Sequence, residues 1–177
     1  MRITVDIPEA INGDFEIKKV TTDKIAEKDE PLDTYTILYK DGVGIMQDTT
    51  HEYQEHQWLW DNATGDVLIG GLGIGFVNQK LMDNPNVTSI TIVEKHQEVI
   101  DLVWQHCPKD STVTLIHADI ETWNPTQNFD VAWFDTWLHP DVNVGGQQLV
   151  EYNSTMHEKY SPHCGRIGCW PVGEIDV

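Results

Sequence analysis

The stretch that most constrains the fold runs Asp66-Val67-Leu68-Ile69-Gly70-Gly71-Leu72-Gly73-Ile74-Gly75-Phe76. A short apolar run that suits a buried strand empties into a glycine-rich turn, and a helical pattern begins at once. Glycine is needed where a backbone turns tightly and must approach a ligand with no Cβ in the way. The helix that follows points its first N–H groups and the positive end of its dipole toward that turn. Taken alone, Gly71-x-Gly73-x-Gly75 is compatible with a nucleotide site and equally with a purely structural turn. The pattern downstream decides between them.

From residue 67 onward, strand and helix periods alternate. Strands are predicted over 67–70, 89–94, 113–117, 130–135 and 166–170, and helices over 76–82, 97–106 and 146–160. Parallel strands require crossovers, and crossover helices pack on the sheet and cover both its faces. The fold class expected is therefore α/β: a Rossmann-like, doubly wound, mostly parallel sheet of order 3-2-1-4-5, truncated at its C-terminal end. The first part of the chain reads differently. Residues 3–7, 15–20 and 35–39 alternate apolar with polar, residues 8–13 supply a turn, and Lys40-Asp41-Gly42 is a hairpin signal before 43–46. Thr49 with Glu52 forms a capping-box pattern that starts a helix running to about residue 60. The division expected is a small antiparallel β appendage over 1–48 and a Rossmann-like domain over 49–177.

Charge limits the partners. Among 177 residues, 29 are acidic and 11 basic, a formal net charge of −18. Such a field repels phosphate backbones and anionic membranes, so neither nucleic acid nor a membrane surface is an expected partner. It attracts small cations such as polyamines, although solubility or a salty medium accounts for it as well. Cys107, Cys164 and Cys169 are an odd number without framework spacing, and the N-terminus lacks a signal-peptide core; a reducing cytoplasm is the expected setting.

Ligands of doubly wound sheets sit beyond the carboxyl ends of the strands, where strand order reverses. The second predicted strand ends in Glu94, about twenty residues past the glycines, where an acid can accept from both ribose hydroxyls. The third ends in His117-Ala118-Asp119, which puts a carboxylate within reach of an adenine amino group. The fourth ends in Asp135. Glu94 and Asp119, taken singly, could equally cap a helix or bend. Together with the glycines they point to a nucleoside-containing cofactor.

This constellation resembles the class I S-adenosylmethionine-dependent methyltransferase fold, in its spermidine-synthase-like branch. The resemblance is carried by residues 67–75, Ile92-Val93-Glu94, His117-Ala118-Asp119 and Phe129-Asp130-Val131-Ala132-Trp133-Phe134-Asp135. Asp41-Gly42-Val43, Glu52-Tyr53-Gln54-Glu55 and Arg166-Ile167-Gly168-Cys169-Trp170 extend it over about residues 35–170. It implies S-adenosylmethionine as cofactor, with Gly71, Gly73 and Gly75 facing its methionine part, Glu94 on the ribose and Asp119 on the adenine. It also implies that Asp135 orients and deprotonates an attacking amine, since an ammonium has no lone pair until it loses a proton.

Three departures shape the reading. Spermidine synthases carry an aspartate within the turn where this chain has Gly73-Ile74. The stretch after Asp135 is Thr136-Trp137-Leu138-His139-Pro140. The last two strands usual in that fold are not expected. Methyl transfer to a small acceptor is therefore favoured, with aminopropyl transfer to a polyamine, or a degenerate cofactor-binding module, as the alternatives. An open sheet edge would suit a homodimer. Trp137 and Trp170 are candidates for an aromatic acceptor wall, which suits a sulfonium or ammonium through cation–π attraction, although packing explains such residues as well. Tyr53 could reach over the cofactor from the preceding helix. His157, His163, Cys164 and Cys169 fit no common zinc spacing, so no metal site is expected.

Overall fold

A computed structural model describes residues 2–21, 30–136 and 145–174, the side chains of 145–148 excepted. It contains two sheets. The first is antiparallel, order β1-β2-β3-β4, built from β1 (Ala10–Asn12), β2 (Phe15–Thr21), β3 (Thr34–Lys40) and β4 (Val43–Gln47). The second has order β10-β9-β8-β5-β6-β7, from β5 (Gly65–Gly70), β6 (Val87–Glu94), β7 (Val113–His117), β8 (Phe129–Phe134), β9 (Cys164–Cys169) and β10 (Gly173–Glu174). Strands β5 to β9 are mutually parallel and follow the 3-2-1-4-5 order expected from the sequence. A two-residue antiparallel β10 pairs with β9 and covers part of the edge expected to be open.

Alternation along β5 explains why helices lie on both faces. Val67 and Ile69 enter one apolar cluster with residues of α3 (Phe76–Met82) and α4 (Gln97–Val103). Leu68 points the other way, into a cluster with Met156 and Tyr160 of α5 (Gly145–Tyr160). Tyr160 Oη donates to the Ile120 carbonyl at 2.6 Å and ties α5 to the segment after β7. No helix among the described residues is long and apolar enough to cross a membrane.

Three local expectations need correcting. Residues 3–7 are not a strand of a sheet. Val5 and Ile7 are buried as the alternation requires, and the first cluster runs from them through Phe15 and Leu38 to the parallel sheet. Their backbone, however, is served by side chains: Val5 N–H donates to Asp48 Oδ2 at 3.1 Å, and Thr36 Oγ1 donates to the Val5 carbonyl at 3.2 Å. The hairpin strand is instead Ala10–Asn12, and the tight turn falls at Gly13 (φ +59°). The helix expected from 49 to 60 is two pieces, α1 (Thr50–Glu55) and α2 (Gln57–Asn62), broken at His56 with φ −92° and ψ 11°. Thr49 caps α1 as expected, its Oγ1 accepting from Glu52 N–H at 3.1 Å. The Glu52 carboxylate accepts instead from Gln47 N–H at 3.3 Å, outside the helix.

Asp48 is the knot of the antiparallel half. It is buried, and besides Val5 N–H it accepts from Thr36 N–H at 2.8 Å and from Arg2 Nη2 at 3.1 Å. Asp48→Ala orphans two buried N–H groups at once. An orphaned buried donor costs about 1–3 kcal/mol, so urea unfolding of this variant is expected to show a loss of roughly 2–6 kcal/mol. A loss under about 0.5 kcal/mol, typical of a surface change, would show that the knot is dispensable.

Candidate functional site

The strand order reverses at β5, which has β6 and β7 on one side and β8 and β9 on the other. A cleft of about 490 Å³ opens at the carboxyl ends of these strands. That lies within the roughly 300–1,000 Å³ usual for small-molecule sites. Its floor is Gly71 and Gly73, and Glu94, Asp119 and Asp135 reach it from β6, the segment after β7, and the end of β8. The four strand-end groups expected from the sequence therefore converge on one cavity.

Glu94 is the most constrained of them. It is 6% exposed, and each carboxylate oxygen accepts one backbone N–H: Oε2 from Leu72 at 2.9 Å and Oε1 from His96 at 2.7 Å. A carboxylate has about four lone-pair sites, so two are taken by protein and about two remain for a ligand. Asp119 accepts from Glu121 N–H at 3.0 Å and pairs with Lys95 Nζ at 2.8 Å. The Lys95 ammonium holds the Asp119 carboxyl below its ordinary value, and Asp119 in turn raises Lys95.

The three glycines separate into different roles. All have positive φ: +93° at Gly71, +53° at Gly73 and +75° at Gly75. Gly71 and Gly73 line the cleft, but Gly75 caps α3 and packs away from it, where an added Cβ would stand 2.1 Å from Cys107 Sγ. Its positive φ and its close packing against Cys107 both ask for glycine there. Over Gly73 lies Met46 of β4, whose Sδ accepts Ile74 N–H at 3.3 Å. Met46, Phe15, Leu38 and Ile45 bring the antiparallel half into the cleft wall. Nothing in the sequence marked these four, because they belong to a different sheet.

Asp135 also belongs to a cluster around the buried His56 that the sequence pattern did not mark. His56 Nε2 stands 3.2 Å from Asp135 Oδ2, and its Nδ1 is 2.9 Å from the Glu52 carbonyl. Burial together with the Asp135 charge pushes the Glu52 carboxyl up to about 8. Burial pulls the His56 imidazole down, but the Asp135 and Glu52 carboxylates outweigh it and its value is raised overall. The i, i+4 spacing of Glu52 and His56 on a helical stretch was the available signal; the partner on β8 was not visible. Thr136 Oγ1 contacts Tyr152 Oη at the cleft edge, and burial pushes the Tyr152 phenol up.

Of the residues expected to wall the acceptor, the described ones lie outside the lining of this cleft. Tyr53 stacks on Trp60 at 5.5 Å between ring centroids, and neither Tyr53 nor Trp170 lines the cleft. Trp170 packs instead at the margin of the first apolar cluster. Trp137 lies outside the described residues.

No protein-family model matches the sequence, and no curated protein matches it. Solved structures do match. Spermidine synthase in complex with the transition-state analogue AdoDATO superposes with a TM-score of 0.59 at 12% identity, over 93% of this chain and 59% of that one. Spermidine synthase from Thermotoga maritima gives 0.55 at 13% identity, over 92% and 55%. The N-methyltransferase NodS from Bradyrhizobium japonicum gives 0.50 at 16%, over 67% and 66%. The chain has the class I methyltransferase fold. It shares with spermidine synthase the arrangement that includes the N-terminal sheet, since that likeness spans nearly the whole chain. It covers 55–66% of the length of these three structures.

The Met46 contact makes the glycine turn testable. An Ala Cβ at Gly73 would stand 1.9 Å from Met46 Sδ in a left-handed conformation, which itself costs an L-residue roughly 1–2 kcal/mol. Gly73→Ala is expected to destabilise by more than that in the wild-type background and by about that much beside Met46→Ala. A double-mutant cycle by thermal unfolding reads the coupling, and strictly additive effects would exclude it.

Proposed function

We propose that the protein is an S-adenosylmethionine-dependent transferase that moves a methyl group to a small acceptor, with the cofactor lying over the glycine turn. The observation that carries this reading is Glu94: a buried carboxylate pinned by Leu72 and His96 N–H groups, with acceptor capacity left in the cleft. Paired ribose hydroxyls are donors that suit such a rigid acceptor. Asp119, fixed by Lys95 and Glu121 N–H, would accept from the adenine amino group. Gly71 and Gly73 let the backbone approach the methionine part. The cleft wall is rich in acids, Glu94, Asp119, Glu121 and Asp135, which favours a cationic nucleoside.

When bound, the cofactor supplies an electrophilic carbon on a sulfonium that departs as a neutral thioether. The protein's share is positioning and one proton. Asp135, at the end of β8 and in the cleft wall, would orient the acceptor and take the proton its nucleophile gives up.

Aminopropyl transfer to a polyamine is the second reading, favoured by the likeness to spermidine synthase over more than nine tenths of the chain. Gly73-Ile74 weighs against it, because a carboxylate that could hold an aminopropyl ammonium is missing from the turn. Calorimetry with S-adenosylmethionine and S-adenosylhomocysteine tests the main reading: both are expected to bind. A charge-assisted hydrogen bond is worth about 1.5–3 kcal/mol, so Glu94→Gln should weaken them about 10- to 100-fold. Failure of both to bind, or unchanged affinity in Glu94→Gln, contradicts it. Turnover of the decarboxylated cofactor with putrescine would select the second reading.

A further inference from the structure

His56 is fully buried, at 0% exposure, and its two ring nitrogens have different tasks. Nδ1 lies 2.9 Å from the Glu52 carbonyl oxygen. A carbonyl only accepts, so Nδ1 carries the hydrogen and donates it. In the neutral ring Nε2 is then a bare lone pair. Nε2 lies 3.2 Å from Asp135 Oδ2, yet it has no hydrogen-bond partner among the described residues. The two atoms are close but do not point along one hydrogen bond. Two acceptors held this close repel unless positive charge stands between them, either a proton on Nε2 or a metal ion.

We propose that Glu52, His56 and Asp135 form a divalent transition-metal site, with His56 Nε2 and one oxygen from each carboxylate as ligands. The candidate ligand atoms all lie within 4.8 Å of one another. Ligands about 2.0–2.2 Å from a common ion stand roughly 3.0–3.5 Å apart, and the 3.2 Å between Nε2 and Oδ2 is that spacing. The surroundings match as well. A metal-bound imidazole typically donates its other N–H to a carbonyl or carboxylate, which fixes ring and tautomer; the Glu52 carbonyl has that place here. Trp60, Phe76 and Trp133 surround the ring at centroid distances of 5.6, 5.1 and 5.5 Å, a shell that shields the ion. One nitrogen and two oxygens suit zinc, cobalt or manganese better than calcium or magnesium, which prefer oxygen alone.

Three protein ligands leave coordination positions open. Asp135 is in the cleft wall, so an acceptor hydroxyl or amine could take an open position and lose its proton more readily there. The metal site itself stands apart from the cofactor reading; only this role toward the acceptor rests on it.

The test is Co²⁺ titrated into chelator-stripped full-length protein without any nucleoside, followed by visible absorption. Excess Mg²⁺ is kept present to occupy exposed carboxylates on a chain with a formal net charge of −18. One equivalent is expected to bind with a ligand-field band. His56→Ala should reduce the affinity at least about 100-fold, the upper end of what losing even an outer partner costs. Because His56 lies in the core, Glu52→Gln and Asp135→Asn, checked for fold by circular dichroism, carry the test a second time; each should weaken binding at least about 10-fold. No uptake above the Mg²⁺ background would overturn the proposal. So would equal uptake by wild type and all three variants, which would mean adventitious surface binding only. Nitrogen-15 histidine spectra in which Nε2 keeps a hydrogen in the presence of Zn²⁺ would overturn it too, by putting a proton where the ion should be.

Discussion

The pair of hydrogen bonds from Leu72 and His96 N–H to Glu94 is the interaction on which the cleft depends. It clamps the glycine turn after β5 to the end of β6, next to the backbone bond from Gly71 N–H to the Val93 carbonyl at 2.9 Å. A turn with three left-handed residues has little intrinsic preference for one shape, since glycine gives up more backbone freedom on ordering than any other residue. The buried carboxylate supplies the missing constraint. One residue thus sets the shape of the floor and also presents the acceptor atoms of the site.

The second constraint comes from outside the Rossmann-like sheet. Met46 of β4 takes the Ile74 N–H and fills the space above Gly73, and Phe15 and Leu38 complete the wall. The antiparallel half is held in turn by Asp48, whose carboxylate gathers Arg2, Val5 and Thr36. The cleft is therefore a seam between two sheets, and the apolar cluster beneath it is continuous from Val5 to Trp133.

The sheet order and the convergence of Glu94, Asp119 and Asp135 were legible in the sequence because each depends on local periodicity. A strand of period two that breaks at an acid, followed by a helical pattern, puts that acid at a carboxyl end whatever the tertiary detail. What was not legible depends on contacts between distant segments. Residues 3–7 alternate like a strand, yet side chains of Asp48 and Thr36 replace a partner strand. Gly75 looks like its neighbours in the motif but owes its identity to Cys107, which packs against it. The helix break at His56 has no glycine or proline to announce it, and only the fold brings Glu52 and His56 to Asp135. Lys95 follows Glu94 directly, but its pairing with Asp119 needs β6 and β7 to be neighbours.

The central claim is that Glu94 anchors both the glycine turn and a nucleoside. The most direct measurement is a crystal structure of the protein with S-adenosylhomocysteine. The account predicts ribose hydroxyls on the two free lone-pair sites of Glu94, the adenine amino group at Asp119, and unchanged bonds from Leu72 and His96 N–H. Nucleoside bound elsewhere, or bound with Glu94 turned away from the turn, would contradict it.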